Sequence, residues 1–407
     1  MWVIMLIEKN ICTVSMLPVG EGDCFYIEFE LSNCKFTMLI DCGTTACWNT
    51  VLKPFLDELI QDGETIDILL ITHIDSDHIG GALKLFSAAE YRKIVKTVWF
   101  NGLHQIIDNV TNEQSQKTAL AYRKLCAAHQ HNMHNEDGPI SAGQACTLSS
   151  LLREHGIAVN TIADGKAITD EIKRYSINEH LTIDFLLPSR ICLDQLRKVF
   201  SVRMNQAVLG AEIADTPEGE NAFENVMLDE KAADEYVEPI SAHTTSIENI
   251  ESWATATFKA DHSVTNNASI AICIHFWGRK LLFTGDAPQE TLIPALRKWK
   301  EKTGNDLFFD IVKLPHHGSG NNNCALLDCL DGRFFLISTD GKKYSHPNKE
   351  TIAKIICRDS RETRYLCFNY KHPIYYLFCN QNAESMYRYK VIPDNEKIIL
   401  GGDPIEL

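Results

Sequence analysis

The sequence predicts an α/β protein with a mostly helical central insertion and a strand-rich C-terminal extension. Three observations lead to this fold class. Short β-branched runs occupy about the first 100 residues and return after about residue 260. The stretch between them is polar and has mostly helical patterning. Side chains that can carry chemistry follow several of the predicted strands, which is where α/β sheets place their active sites.

The first region predicts strands, turns and one strand–loop–helix unit. Met1–Ile7 is apolar and is interpreted as a first strand, because no basic leader or small-residue cleavage site accompanies it. Phe25–Phe29 and Phe36–Ile40 are typical of a hairpin. Thr65–Thr72 predicts a buried strand, and the glycines Gly80 and Gly81 then open a helical pattern.

The central region, residues 101–259, is interpreted as an insertion into a core made of residues 1–100 and 260–355. Within it, Leu181–Pro188 predicts a strand that re-enters the core. Glu212–Glu238 holds ten acidic residues against one lysine, and we expect a solvated helix or a mobile loop there. A protein partner that binds through the insertion is the alternative.

The third region returns to strands. The apolar runs predict them at Ser269–Phe276, Lys280–Thr284, Leu307–Leu314 and Phe334–Ser338. A C-terminal extension, residues 356–407, adds predicted strands at Arg364–Phe368, Ile374–Cys379 and Tyr387–Ile392 and is expected to lie against the core.

Composition limits the classes of function. The formal net charge of −15 gives the protein no general attraction to nucleic acid or anionic membranes, so an anionic substrate would need a metal or a local basic patch. No apolar run approaches the roughly 20 residues that cross a bilayer. The fourteen cysteines form no Cys-x-x-Cys pair and many lie in apolar runs, which favours reduced, buried thiols in a cytoplasmic protein.

The central motif directly follows the predicted strand Thr65–Thr72. It reads Thr72-His73-Ile74-Asp75-Ser76-Asp77-His78-Ile79-Gly80-Gly81. Imidazole and carboxylate groups are ligands for divalent cations, and this spacing lets one tight loop turn four of them toward one point. A charged surface loop with stray histidines is the competing interpretation, and the apolar strand before the motif argues against it.

Other strand ends carry further candidate ligands. The strand Lys280–Thr284 is followed by Gly285-Asp286, and the strand Leu307–Leu314 by Pro315-His316-His317. The loop after Phe334–Ser338 carries His346 before Pro347. Each alone is unremarkable, since Asp286 could cap a helix and His316 could be a packed histidine. Together they predict a metal site assembled from several strands.

The order of these segments resembles the metallo-β-lactamase superfamily, and within it the hydrolase domain of the DNA-uptake protein ComEC. The similar segments are Val19-Gly-Glu-Gly-Asp23, Asp41-Cys-Gly43, His73–Gly81, Asn267-Ala-Ser269, Phe283-Thr-Gly-Asp286, Lys313–Ser319 and His346-Pro347. They cover about residues 12–100 and 260–355. The resemblance implies an αββα sandwich with one or two divalent ions, zinc or manganese, at its upper edge.

Carried over to this sequence, the resemblance implies a role for each residue of the motif. His73 and Asp75 would bind a first metal, and Asp77 and His78 a second. Asp286 would bridge the two ions, and either His317 or His316 would complete the second site. Asp41 would brace the histidine loop.

Two positions depart from the superfamily pattern. Asp75 stands where many members have histidine, although aspartate is common in the ComEC-like branch. The third histidine of the first site usually precedes the hairpin that leads to Gly-Asp, where this chain has Thr265-Asn266-Asn267-Ala268-Ser269. A weaker first site and a preference for manganese over zinc follow, because oxygen ligands favour manganese.

These residues predict a metal-dependent hydrolase. The leading hypothesis is a phosphodiesterase or nuclease that acts on DNA, RNA or a nucleotide, with Asp77 orienting water or taking its proton. His346, in one loop with Lys342 and Lys343, would bind a phosphate or protonate the leaving group, or else is a loop histidine held by Pro347. Hydrolysis of a small ester, thioester or lactone is the main alternative, and a regulatory module with decayed catalysis is the third.

Overall fold

Two β-sheets lie face to face in the middle of the molecule. The computed structural model describes residues 10–31, 34–107, 115–136, 147–234, 250–343, 345–359, 362–392 and 397–401. Its strands are β1 (Ile11–Met16), β2 (Phe25–Leu31), β3 (Cys34–Ile40), β4 (Ile66–Leu70), β5 (Val95–Trp99), β6 (Tyr175–Ser176), β7 (Leu181–Leu187), β8 (Ala271–Phe276), β9 (Arg279–Phe283), β10 (Phe308–Lys313), β11 (Asp331–Ile337), β12 (Arg364–Phe368), β13 (Tyr389–Ile392) and β14 (Ile398–Gly401).

Helices cover both outer faces of the sheet pair. They are α1 (Lys53–Gln61), α2 (Ser76–Ser87), α3 (Ala89–Arg92), α4 (Leu103–Ile106), α5 (Gln116–Glu136), α6 (Leu148–Glu154), α7 (Arg190–Ala207), α8 (Pro217–Asp234), α9 (Ile250–Ala254), α10 (Val264–Asn267), α11 (Gln289–Thr303), α12 (Gly320–Asn323), α13 (Leu326–Cys329), α14 (Lys349–Ile356), α15 (Pro373–Phe378) and α16 (Gln381–Tyr387).

The first sheet has the strand order β14-β1-β2-β3-β4-β5, and the second has the order β13-β12-β11-β10-β9-β8-β7-β6. Strands β3 to β5 of the first sheet run parallel to one another, and so do β9 to β13 of the second. All other neighbouring pairs are antiparallel. Parallel strands end at one edge of a sheet, so the loops after β4, β9, β10 and β11 are brought toward a common region.

Three apolar clusters separate four layers. The cluster between the sheets joins residues such as Phe25 and Phe29 of the first sheet to Phe276 and Phe283 of the second. A second cluster lies between the first sheet and helices α1, α2 and α5 to α8. The third lies between the second sheet and helices that include α11 and α14. The predicted α/β fold class is therefore confirmed as an αββα arrangement with additional helices.

Most predicted strands are confirmed, with ends shifted by no more than three residues. The hairpin of β2 and β3 pairs Phe25 with Ile40 and Phe29 with Phe36. β7, inside the predicted insertion, pairs with β8 in the second sheet. β12 and β13 extend the same sheet, while β14 pairs with β1 in the other, so residues 364–401 contribute to both. The strand predicted at Met1–Ile7 lies outside the described residues.

The strand predicted at Ile374–Cys379 is wrong, because Pro373–Phe378 forms helix α15. Proline at the first helical position is a helix-start signal, and the buried residues Ile374, Tyr375 and Phe378 share one helical face. A short apolar run cannot distinguish a strand from such a helix by periodicity alone.

The helix after the histidine loop also begins earlier than predicted. α2 starts at Ser76, so Asp77 and His78 lie in its first turn and both glycines lie inside it. A Cβ at Gly81 would stand 2.2 Å from the carbonyl oxygen of Cys42. These glycines therefore let the helix pack closely on the loop that follows β3, and they do not mark the start of the helix.

The described part of the acidic segment is not the solvated element that the composition predicts. Its described part contains α8, which buries Phe223 and Met227 against the helices of the insertion and also buries Glu220 and Glu224. Arg153 donates two hydrogen bonds to Glu220, and the Glu224 carboxylate accepts the backbone N–H groups of Leu148 and Ser149. These partners explain how acidic side chains are tolerated in a packed helix.

The cysteines of the described residues form no disulfide. Thirteen cysteines in the described part of the chain are free thiols, and seven of them are buried. In the same ranges, no helix combines the length and the apolar character that a membrane span requires.

Candidate metal centre

The residues of the histidine motif occupy the turn between β4 and α2. His73, Asp75, Asp77 and His78 are all buried, and none exposes more than 4% of its surface. Asp75 has extended backbone angles and stands at the N-cap position of α2, while Asp77 and His78 follow in the first helical turn. The transition from strand to helix therefore points four ligand-type side chains into the protein.

Two further segments bring side chains to the same place. Asp286 follows β9, and its Oδ2 lies 3.3 Å from Nε2 of His78 and 3.4 Å from Nε2 of His317, which follows β10. The His317 Nε2 is also 3.3 Å from Oδ2 of Asp77. The ligand atoms of these four residues thus converge from three separate segments, which we call the metal cluster: Asp77, His78, Asp286 and His317.

The contacts of each imidazole indicate which nitrogen is available for a metal. Nδ1 of His78 is 2.8 Å from Oδ2 of Asp41, and Nδ1 of His317 is 2.8 Å from the carbonyl oxygen of Ser338. The opposite nitrogens, like Oδ2 of Asp286, are buried without a hydrogen bond. Histidines that ligate a metal show this arrangement, with one nitrogen oriented by an oxygen and the other directed at the ion. The residues present therefore fit a divalent cation.

Asp41 fixes the loop that carries the motif. Its Oδ1 accepts the backbone N–H of Thr72 at 2.7 Å, and its Oδ2 accepts the Thr72 hydroxyl at 2.7 Å besides facing His78. One buried carboxylate thus sets both the backbone before the motif and the ring at its end.

His73 and Asp75 lie beside the metal cluster. Nε2 of His73 is 3.0 Å from Oδ2 of Asp75, and the rings of His73 and His78 have centroids 4.1 Å apart. One ligand atom each from His73, His78 and Asp286 falls within 4.8 Å of the others. These distances are compatible with a first metal position next to the second.

The segment in which the resemblance implies a third histidine for the first metal position forms α10 and the residues after it. Asn266 is buried there, and its Nδ2 donates to Oδ2 of Asp261 at 2.8 Å. The side chain of Asn322 donates to the same carboxylate oxygen at 2.9 Å. The pKa of Asp261 is lowered to about 2: burial alone would raise it, but the neighbouring His316 and the two amides outweigh burial.

His316 and His317 take opposite sides of one turn. Both have positive φ angles, 47° and 54°, which lead the two rings apart. His317 belongs to the metal cluster, whereas Nδ1 of His316 lies 3.6 Å from Oδ2 of Asp261. The ring of His346 is 5.2 Å from that of His316, centroid to centroid. His346 thus contacts His316, which is not one of the residues of the metal cluster.

Sequence reasoning gave no role to two buried charged residues, Asp23 and Lys313. Nζ of Lys313 contacts the Asp23 carboxylate, lies 3.2 Å from Oδ1 of Asp286 and donates to the carbonyl oxygen of Gly285 at 2.8 Å. Asp286 therefore has one oxygen toward the ammonium and the other toward the histidines. A lysine at the end of an otherwise buried strand was the sequence signal, because lysine is almost never fully buried without a partner.

The Asp23 loop fits closely against the motif. A Cβ at Gly22 would stand 1.8 Å from the carbonyl oxygen of Asp77, so only glycine allows this approach. The hydroxyl of Ser338 donates to the carbonyl oxygen of Gly22 at 2.7 Å. Tyr370, just after β12, donates to the carbonyl oxygen of Pro18 and accepts the N–H of Gly20. The C-terminal strands thereby hold a loop of the centre.

The buried charges leave a strong negative field. The carboxylates of five aspartates, Asp23, Asp41, Asp75, Asp77 and Asp286, face one ammonium group, that of Lys313, which makes a formal charge of −4 with neutral histidines. Burial alone would lower the pKa of His78 and of His317, yet Asp286 and the other carboxylates hold both well above the usual range. Such a field attracts positive charge, and two divalent ions would neutralise it.

The two lysines of the loop after β11 are exposed and lie beside carboxylates. Nζ of Lys342 is 3.1 Å from Oδ2 of Asp340, and Nζ of Lys343 is 3.9 Å from Oε1 of Glu21. The local positive charge predicted for this loop is therefore partly balanced.

Comparison with known proteins adds one finding. Residues 17–115 match the family model described as the metallo-beta-lactamase superfamily. The matched segment includes Asp23, Asp41 and the whole histidine motif, whereas Asp286 and His317 lie beyond it. A search of curated proteins found no match to the chain. Together with the αββα arrangement and the convergent ligands, the match shows that residues 17–115 carry a metallo-β-lactamase superfamily domain.

Proposed function

We propose that this protein is a metal-dependent phosphodiesterase or nuclease. The observation that carries the hydrolase assignment is the convergence of Asp77, His78, Asp286 and His317 from three segments of the chain. Members of the metallo-β-lactamase superfamily are generally hydrolytic enzymes that bind divalent metals, which supports the same assignment.

The chain's own residues would divide the work as follows. A divalent ion in the cluster would supply activated water near neutral pH and Lewis-acid stabilisation of charge on the attacked centre. Asp41 and the Ser338 carbonyl hold His78 and His317 in the orientation that ligation needs. Asp77, at the start of α2, orients the attacking water or accepts its proton.

The phosphodiester substrate is supported by the similarity of the motif order to ComEC and by the loop after β11. His346 in this loop lies beside His316, next to the centre, and Lys342 and Lys343 precede it. We assign His346 to the binding of a phosphate oxygen or to protonation of the leaving group. Nucleic acid or a nucleotide is then the substrate class.

The ligand types favour manganese over zinc as the resident metal. Three of the ligands proposed for the two positions are carboxylates, from Asp75, Asp77 and Asp286, and an asparagine segment stands where a third histidine is usual. Carboxylate-rich sets suit manganese better than zinc, which prefers nitrogen and sulfur.

One observation favours the rival, a hydrolase of small esters, thioesters or lactones. Lys342 and Lys343 each lie beside a carboxylate, and the chain as a whole carries a formal charge of −15. Both facts weaken attraction for a polyanion and are neutral toward an uncharged ester. The third candidate, a decayed regulatory module, is disfavoured because the cluster keeps four ligand-type residues in contact.

A substrate panel tests the proposal. The purified protein, supplied with Mn²⁺ or Zn²⁺, is assayed with bis-p-nitrophenyl phosphate, single- and double-stranded nucleic acid, a lactone and a thioester. We expect metal-dependent cleavage of at least one phosphodiester. Cleavage of a lactone or thioester with no phosphodiesterase activity would contradict the proposal and support the rival.

A double variant, Lys342→Ala with Lys343→Ala, tests the loop. If the loop contacts a polyanion, the variant loses turnover of nucleic acid more than turnover of an uncharged ester, and the affinity depends shallowly on salt because few phosphates are contacted. The exposed lysines Lys93 and Lys390 provide a matched control pair. Unchanged nuclease activity in the loop variant would show that Lys342 and Lys343 do not bind the substrate.

A further inference from the structure

A cavity of about 590 Å³ lies between β7, residues 170–174 and the last turns of α11. Helix α11 begins at Gln289, three residues after Asp286, and ends at Thr303. At 1.5 Å per residue the helix spans about 20 Å, so its last turns lie far from the metal cluster. The cavity volume falls within the range of roughly 300–1,000 Å³ that is usual for small-molecule sites.

The floor of the cavity is rigid because one buried carboxylate organises it. Asp184 accepts hydrogen bonds from Nε and Nη2 of Arg174 at 2.6 and 2.7 Å and from Nε1 of Trp299 at 2.9 Å, and it lies 2.9 Å from Nε2 of His275. These partners use the acceptor capacity of the carboxylate, so Asp184 cannot attract a cationic ligand. Trp299 is fixed further by stacking on Phe309.

The rest of the lining is apolar at the bottom and cationic at the rim. Ile172, Leu186 and Ala295 line the cavity together with Trp299. The charged lining residues are four cationic side chains, Lys173, Arg174, Lys298 and Lys302, and two carboxylates, Asp170 and Asp184. The local charge is therefore positive in a chain whose formal charge is −15.

Two of these cations remain available for a ligand. Arg174 is engaged by Asp184, and Nζ of Lys298 is 2.7 Å from Oδ2 of Asp170. Lys173 and Lys302 are exposed and make no ion pair within the described part of the chain. Two ammonium groups match the charge of about −2 that a phosphate monoester carries at neutral pH.

We propose that this cavity binds a small phosphate monoester with a flat apolar body, of the kind represented by a nucleoside monophosphate. The phosphate lies between Lys173 and Lys302 at the rim, and the apolar body lies on the floor beside Leu186 and Trp299. The site is separate from the metal cluster and does not depend on the reaction catalysed there.

Isothermal titration calorimetry with adenosine monophosphate tests the proposal. Wild-type protein is expected to bind adenosine monophosphate saturably. It should bind adenosine and inorganic phosphate at least tenfold more weakly. Lys173→Ala with Lys302→Ala should weaken binding at least tenfold, whereas the control Lys93→Ala with Lys390→Ala should not change it. Ala295→Glu, at a half-exposed helix position, places a carboxylate in the cavity and should also abolish binding.

Two results would overturn the proposal. The first is no binding by the wild-type protein, or equal binding by the Lys173–Lys302 double variant. The second concerns the metal cluster, which could itself hold a phosphate. Asp286→Ala should leave binding intact, and loss of binding in that variant with retention in the lysine double variant would place the ligand at the cluster instead.

Discussion

Replacing Lys313 by methionine perturbs the charge balance of the metal centre while keeping most of the side chain's volume. The ammonium group is buried and contacts Asp23, and it lies 3.2 Å from Oδ1 of Asp286. Without it, the buried carboxylate of Asp23 keeps only the imidazoles of His317 and His78 as nearby partners among the described residues. Breaking a buried ion pair in this way costs about 3–5 kcal/mol of folding free energy.

The size of that loss should depend on metal. In protein stripped of metal, the buried cluster loses one positive charge, so repulsion among the carboxylates adds to the loss. Bound divalent ions offset part of this repulsion, and we expect metal to raise the stability of Lys313→Met more than that of wild type.

Urea unfolding of both proteins, with and without Mn²⁺, measures the two effects. Lys96→Met is the matched control, because Lys96 forms an exposed pair with Asp67 at 2.6 Å, and surface pairs contribute about 0–1 kcal/mol. If metal-free Lys313→Met is within about 1 kcal/mol of wild type, or if metal stabilises both proteins equally, the proposed charge balance is wrong.

Three further predictions concern catalysis, pH and the loop of Asp23. Asp77→Asn should lower turnover about a hundredfold or more with an unchanged circular dichroism spectrum, and activity within a few-fold of wild type would remove Asp77 from its role. Burial lowers the pKa of His372 to about 4, against the opposing charge of Asp340. The folded state therefore favours the neutral ring. Its contribution to the free energy of unfolding, up to about 3 kcal/mol, is fully present above about pH 6.5 and is lost as the pH falls from there through 4. His372→Asn should flatten urea stability between pH 6.5 and 4, and an unchanged slope would contradict the shift. Tyr370→Phe removes the hydrogen bond to Pro18 and should lower turnover with little change in metal content, while equal loss of both would show general unfolding.

The strands of the core were predictable because their signal is local. β-branched runs bounded by glycine or polar residues identified β4, β8, β9 and β10 within two residues of their ends. The same signal failed at Ile374–Cys379, where an apolar run of six residues fits a buried helical face as well as a strand. Helix α2 was placed too late because glycines were taken as its start, although tertiary packing requires them inside it.

The candidate site was predictable to the extent that ligand chemistry is written in residue types. His73 to His78 and Asp286 stand out because imidazoles and carboxylates follow apolar strands. The separation of His316 from His317 depends on two positive φ angles, which no residue pattern in the sequence predicts. The Asp23–Lys313 contact joins positions 290 residues apart, so only the fold reveals it. Burial of α8 likewise depends on distant partners such as Arg153.

The metal content of the purified protein is the decisive measurement for the proposed metal centre. Protein prepared without chelator is analysed by inductively coupled plasma mass spectrometry beside Asp286→Ala and the exposed control Asp306→Ala. We expect between about one and two divalent ions per chain in wild type and control, and loss of most metal in Asp286→Ala, because that carboxylate faces both His78 and His317. Wild-type protein that holds no divalent ion after dialysis against excess metal, or an Asp286→Ala variant with full metal content, would contradict it.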